Sequence, residues 1–381
     1  MRRLLFPLSG YLVLLLAVGS CVQEYLPEVI NSTESYLVVD GFINGQGVST
    51  IRLSKTVHLT TQNGFPSETK ATVAIQSQSG QRYPLTENEP GVYVTASQQL
   101  PANEQYRLHI RTAGGREYAS DYTLLKHTPA LDRFEGQIQA NGLQIYVSAH
   151  DEQAQTRYYR WEYEETWAFT SAFRSTLTFD GQRVVPRTEN IYNCWRTQNS
   201  MAINTFSTVR LSQDAVRDYR LLFIPASSGR LQSLYSLRVR QYALSAEEFD
   251  YWEAVKKNTE NIGTLFDPLP SQVQGNVHSL TDPDEPVLGF VGATTEVSQR
   301  LFINRHSLPP DWHSRNEGYE SCTELDTFPS QTWRGWTLQE YFADPQQRIP
   351  VGRVGPRYTA QSPQCVDCRV LGTNVKPSFW P

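Results

Sequence analysis

From residue 157 to 169, large aromatic side chains recur at every second position: Tyr159, Trp161, Tyr163, Trp167 and Phe169, interrupted only by Glu165. A two-residue period belongs to an extended strand, whose side chains point alternately to opposite faces. The other face carries Tyr158, Arg160, Glu162, Glu164 and Thr166. A row of rings like this either stacks on sugars and ligand rings or is buried as core. The ordinary burial of such side chains favours core, and that is the expectation here. A second alternation runs over residues 234–242, where Tyr235, Leu237 and Val239 are set against Ser236, Arg238 and Arg240. Both stretches commit the chain to sheets with one apolar face.

One helix interrupts this pattern. Ser245 and Glu248 have the spacing of a capping box, in which the hydroxyl accepts from the Glu248 amide and the carboxylate reaches back. Leu244 and Phe249 occupy the positions of a hydrophobic staple. Phe249, Trp252 and Val255 then recur at helical spacing, with Glu253, Lys256 and Lys257 on the wet side. Gly263 is the stop, so the helix is expected at about 246–261. Strand character returns at 287–291 and 300–303.

Upstream, residues 36–126 read as seven short strands, with Gly114 and Gly115 making a tight hairpin between the last two. That density points to an immunoglobulin-like or transthyretin-like sandwich. Tyr106 fits either a corner tyrosine or a plain core aromatic. Pro129 marks a boundary. A second β-rich domain is expected over 130–304, with strands at 143–147, 208–211 and 219–224 and a surface insertion at 171–193. Residues 305–381 are loop-rich and are expected to pack on the second domain. The fold class is mainly β, and the abundance of Tyr and Trp suits it.

The N-terminus carries a different message. Arg2 and Arg3 precede an apolar run over residues 4–18, broken by Pro7, Ser9, Gly10 and Tyr11. It ends in Val18, Gly19, Ser20 and Cys21. A charged start, a short apolar core and small residues before a cut describe an export signal, too short and too interrupted to span a bilayer. A cysteine after that small pair resembles the bacterial lipobox, which implies a signal peptide at 1–20 and an acylated Cys21. Residues 21–35 then form a tether, with Glu24 and Glu28 loosely resembling an export cue. Without Arg2 and Arg3 the formal charge moves from −5 to −7. No basic run is present, which argues against nucleic acid as a partner.

With Cys21 assigned to lipid, Cys194, Cys322, Cys365 and Cys368 form an even set in an exported chain. Two disulfides are expected, in any of three pairings. A redox role for Cys365 and Cys368 lacks the helix start that should follow it, and a tetrathiolate zinc site is ill suited to an oxidising compartment. The histidines at 58, 109, 127, 150, 278, 306 and 313 lie far apart; His306 and His313 flank Pro309 and Pro310. Asp282, Asp284 and Glu285 are hard oxygen ligands at short spacing, but Pro283 and Pro286 favour a solvated turn over a calcium loop. Nucleophile elbow, phosphate loop and dinucleotide fingerprint are all missing. No metal, cofactor or catalytic residue is expected.

Cys365, Cys368, Arg369, Gly372, Thr373, Lys376, Pro377, Phe379 and Trp380 together resemble the closing signature of a Bacteroidota lipoprotein family. That family is known as a domain of unknown function, number forty-two forty-nine. Gln241, Tyr242, Ser245, Glu248, Trp252, Phe266, Asp267, Pro268, Pro270, Ser271, Gly275, Asn276 and Gly289 are similar to the same family. So are residues 36–43 and the pair Cys194 and Trp195. Leu371 stands where a second glycine is expected, and Pro381 follows the usual terminal Trp. The resemblance implies an outer-membrane role beside a TonB-dependent β-barrel transporter and brings no catalytic residues.

The functional expectation is a lipid-anchored, non-catalytic accessory or ligand-binding subunit in nutrient uptake. The alternatives are a structural or adhesive surface module and a surface glycan hydrolase. The hydrolase predicts solvent-facing Trp161 and Trp167 beside a pair of carboxylates.

Overall fold

The aromatic strand, Tyr158–Thr170, lies inside a five-stranded antiparallel sheet. Leu234–Ala243 pairs along one side of it, and Asn193–Asn199 and Asn204–Ser207 divide the other. Glu296–Asn304 extends the sheet beyond Leu234–Ala243. The rings face a three-stranded sheet built from Leu131–Gln139, Gly142–His150 and Ala215–Pro225. Trp161 is 1% exposed and Trp167 7%, with Leu143, Ile145 and Val147 in the same core. The structure, a computed structural model, describes residues 35–57, 64–260, 273–312, 317–329, 332–333, 336–344, 346 and 348–381. Cys21 with its signal and tether, His58, Gly263, residues 266–271 and His313 lie outside the described residues.

Glu165, the one break in the aromatic row, is buried in that core. Arg230 Nη1 donates to both of its oxygens, at 2.8 and 3.0 Å, and the Tyr235 hydroxyl donates at 2.7 Å. A carboxylate so placed is tolerable only when paired, since an uncompensated partner costs about 3 kcal/mol. Burial and the adjacent carboxylate push the Tyr235 pKa well up, so the phenol stays a donor. Trp161 finds its partner in Gln241, which accepts at 2.7 Å and donates onward to the Pro129 carbonyl at 2.8 Å.

The first sandwich is a curled antiparallel sheet. Its strands run in the order Glu117–Ser120, Gln105–Arg111, Thr72–Ser77, Arg82–Glu89, Val92–Val94, Thr50–Lys55 and Leu37–Asn44. Tyr106 is fully buried and donates to the Pro101 carbonyl at 2.9 Å, the corner-tyrosine bond. Both free edges are closed by a segment from much later in the chain. Val277–Ser279 adds to one edge antiparallel, and Ala293–Thr294 adds to the other in parallel. The division at 130–304 therefore needs correcting, because Val277, Val291 and Ala293 belong to the core of the first sandwich. The chain leaves that sandwich, builds most of the second, returns to seal the first, and goes back. Residues 36–381 form one unit by contact. Closure removes two rows of unpaired backbone groups that would otherwise invite association.

The glycines and the asparagine in this return segment have a direct reason. Asn276 accepts from the Val291 amide at 2.8 Å and donates to the Val291 carbonyl at 3.0 Å, tying the two edge pieces together. Gly289 has a φ of +123°, and a Cβ there would lie 1.9 Å from the Val39 carbonyl oxygen. Only glycine fits. At the seam between the sandwiches Thr128 meets Thr294 and Thr295. Its hydroxyl also accepts from the Ala243 amide at 2.9 Å.

The insertion at 171–193 and the tail also depart from expectation. They build a lobe together. The hairpin Leu177–Phe179 with Val184–Pro186 packs against Ile349–Val354, which pairs with Arg357–Gln361 and through it with Asp326–Pro329. Ser175 Oγ donates to the Pro350 carbonyl at 2.7 Å, and the Thr176 amide to the Val351 carbonyl at 2.8 Å. Cys194 bonds to Cys368 and Cys322 to Cys365, fastening this lobe to the aromatic sheet. The strand expected at 208–211 stops at Ser207 instead, because the Thr208 hydroxyl turns the chain by donating to Asp214 at 2.6 Å.

Candidate ligand cleft

The helix Ala246–Glu260 starts as the sequence indicates, but its cap is only half of the expected box. Ser245 Oγ accepts from the Glu248 amide at 3.1 Å. The side chain that turns back is that of Glu247, whose pKa is lowered by its own amide, the Ser245 hydroxyl and the charge of Lys126. Glu248 points inward and is 5% exposed, with its carboxyl against Gly292, where a Cβ would lie 2.1 Å from Oε2. Burial pushes its pKa up to about 7. Arg160 and the Trp252 indole only partly oppose this, and Trp252 Nε1 makes no hydrogen bond of normal geometry.

A carboxyl with a raised pKa favours the folded state only in its neutral form. Its ionisation penalises folding increasingly as pH rises from the ordinary glutamate range through 7. Glu248→Gln is therefore expected to be nearly neutral at pH 4.5 and to raise the free energy of unfolding by about 3 kcal/mol at pH 8. Urea denaturation at both pH values measures this. An equal effect at the two would contradict the assignment.

In front of the helix start lies a cleft of about 940 Å³ at the seam of the two sandwiches. The first sandwich contributes Tyr122, Leu124 and Lys126; the entry to the aromatic strand contributes Gln155 and Arg157; the return segment contributes His278 and Phe290. Asp151 shapes one wall by accepting from the amides of Gln153, Gln155 and Thr156 at 3.0, 3.0 and 2.8 Å. Tyr122 and Leu124 are exposed, and Arg107 stacks on the Tyr122 ring at 4.7 Å. His278 Nε2 and Asp121 Oδ2 are 3.3 Å apart at the rim. Among the described residues neither Lys126 nor Arg157 is ion-paired. The volume and the mix of apolar wall with a few polar groups suit a small polar ligand.

None of the cleft residues carried a sequence signal as a group, since they come from five separate segments. The aromatic row is core, not a platform. Glu285 of the acidic turn is bound to Arg116 at 2.8 Å, Tyr118 at 2.9 Å and Ser279 at 3.1 Å, which ties the turn to the first sandwich. Among the described residues no group of three or more His, Cys, Asp or Glu side chains gathers as a metal site. His306 Nδ1 lies 2.8 Å from Asn304 Oδ1. The four cysteines are consumed in the two bridges. Tail residues of the signature meet their distant counterparts: Trp195 and Thr373 exchange amide bonds at 2.8 and 2.9 Å, and Trp380 lies edge-on to Trp195.

No curated protein matches the chain. Among solved structures it is similar to a DUF4785 family protein from Legionella pneumophila. That match has 12% identity over 53% of this chain and 51% of that one, with a TM-score of 0.20. It is also similar to a chain in the structure of manganese lipoxygenase of Gaeumannomyces graminis with a partial structure of zonadhesin of Komagataella pastoris. There the identity is 6% over 56% of this chain and 89% of that one, with a TM-score of 0.16. The chain thus spans about half the length of the Legionella protein, and at these scores neither likeness carries an argument. The family model described as a domain of unknown function, DUF4249, matches residues 22–300, most of the chain, ending within the strand Glu296–Asn304 of the aromatic sheet. The chain belongs to the DUF4249 family.

Proposed function

We propose that the protein is a lipid-anchored, non-catalytic binding subunit of the outer membrane that presents its seam cleft beside a TonB-dependent transporter in nutrient uptake. The observation that carries this reading is the cleft: a ligand-sized opening at the junction of two sandwiches, with exposed Tyr122 and Leu124 next to Lys126 and Arg157, neither of them in an ion pair among the described residues. Pockets for small molecules favour such junctions. The small residues before Cys21 support the anchor. Once two or more acyl chains are attached, at about 0.8 kcal/mol per buried methylene, the chain stays on a bilayer durably.

The glycan-hydrolase alternative asked for solvent-facing Trp161 and Trp167, and both are buried. The binding reading makes a definite expectation about partners. Affinity purification from gently solubilised membranes should recover a β-barrel transporter with this chain. Its recovery alone in several mild detergents would contradict the accessory role.

A further inference from the structure

The tail lobe holds a second cavity, of about 780 Å³, between the hairpin Leu177–Phe179 with Val184–Pro186, the short helix Leu338–Phe342 and the turn after Cys368. Three guanidinium groups line it, from Arg187, Arg348 and Arg369, against two carboxylates, Glu189 and Asp367. The lining groups themselves sum to +1, three positive less two negative, and Asp326, which pairs with Arg348 from outside the lining, offsets that charge. The carboxylates are already engaged. Arg369 grips Asp367 through Nε at 2.9 Å and Nη2 at 2.7 Å, and its Nη1 holds Glu189. Arg348 pairs with Asp326 at 3.2 Å.

Arg187 is placed differently. Its side chain is 10% exposed, and its Nε is fixed by Ser175 Oγ at 2.9 Å and the Leu177 carbonyl at 3.0 Å. Its ion pair with Glu189 is stretched to 4.0 Å. Among the described residues neither Nη has a hydrogen-bond partner. Burial lowers its pKa despite the nearby Glu189 and Asp367, so the charge is under-compensated. A desolvated guanidinium anchored through Nε, with both Nη groups unpartnered at a cavity wall, matches the paired oxygens of an oxyanion.

We propose that this cavity binds a small organic oxyanion on the Nη pair of Arg187, with Arg348 supplying the second positive group. The site is separate from the seam cleft and does not depend on the role assigned to that cleft. Carboxylates and phosphate esters share the required chemistry. The test is titration calorimetry on the full chain in detergent with glucuronate, glucose 6-phosphate and uncharged glucose. One or both anions should bind saturably at one per chain, and glucose should not. Binding by glucuronate alone identifies a carboxylate ligand, and binding by the phosphate ester alone identifies a phosphorylated one.

Arg187→Met should weaken the bound anion at least tenfold. Arg348→Ala should weaken it threefold or more. The second variant leaves the Ser175 and Leu177 contacts intact, so it decides the matter if the first melts early. Absence of saturable heat with either anion would overturn the proposal, as would unchanged affinity in Arg348→Ala.

Discussion

Replacing Cys194 and Cys368 together by alanine is expected to lower the free energy of unfolding by about 5 kcal/mol. The bridge closes a separation of 174 residues, and in the chain-entropy model the gain rises with the logarithm of loop length. The dependence is weak enough that the shortcut through the second bridge barely changes it. Both cysteines are nearly fully buried beside Phe169 and Leu371, so their removal also loosens packing in the largest core. The Cys322–Cys365 bridge spans 43 residues and should contribute less, about 4 kcal/mol. Urea unfolding of the two double-alanine variants under oxidising conditions compares them. A Cys194/Cys368 variant as stable as the parent would contradict the view that this bridge fastens the tail lobe.

The aromatic row was legible because it is periodic and buries one face, whereas the apolar face expected on the helix is only half-buried and Glu248 is its one buried residue. Tyr159 through Phe169 had to become core because rings at a two-residue period point one way and need covering. The helix start at Ser245 was legible for a different, local reason, as capping depends on neighbours in sequence. The capping box failed in its second half because Glu248 had a tertiary destination, the contact with Gly292, that no local rule describes.

What stayed hidden was long-range. Val277–Ser279 and Ala293–Thr294 are too short to show any period, yet they close the first sandwich at both edges. Gly275, Asn276 and Gly289 were visible as pieces of a family signature, and the structure gives their reasons: crossings too close for a side chain at the two glycines, and the side-chain bonds to Val291 at Asn276. The even set of four cysteines indicated two bridges, but three pairings satisfied the sequence equally. The insertion at 171–193 looked featureless because its apolar partners, Ile349, Val351 and Phe342, lie some 160 residues later. Neither cavity was legible, because Arg187 and Lys126 acquire their neighbours only through those crossings.

The largest effect is expected at Cys21, which lies outside the described residues. On the proposed reading, acylation at Cys21 requires its thiol, so replacing that residue removes the lipid anchor. Loss of that one sulfur should turn membrane association from nearly complete to nearly absent. Fractionation of envelopes from cells fed labelled palmitate is the most direct measurement. The unaltered protein should sediment with the envelopes and carry label; Cys21→Ala should do neither. A Cys21→Ala protein that still sediments with envelopes and still incorporates palmitate would contradict the account at its root.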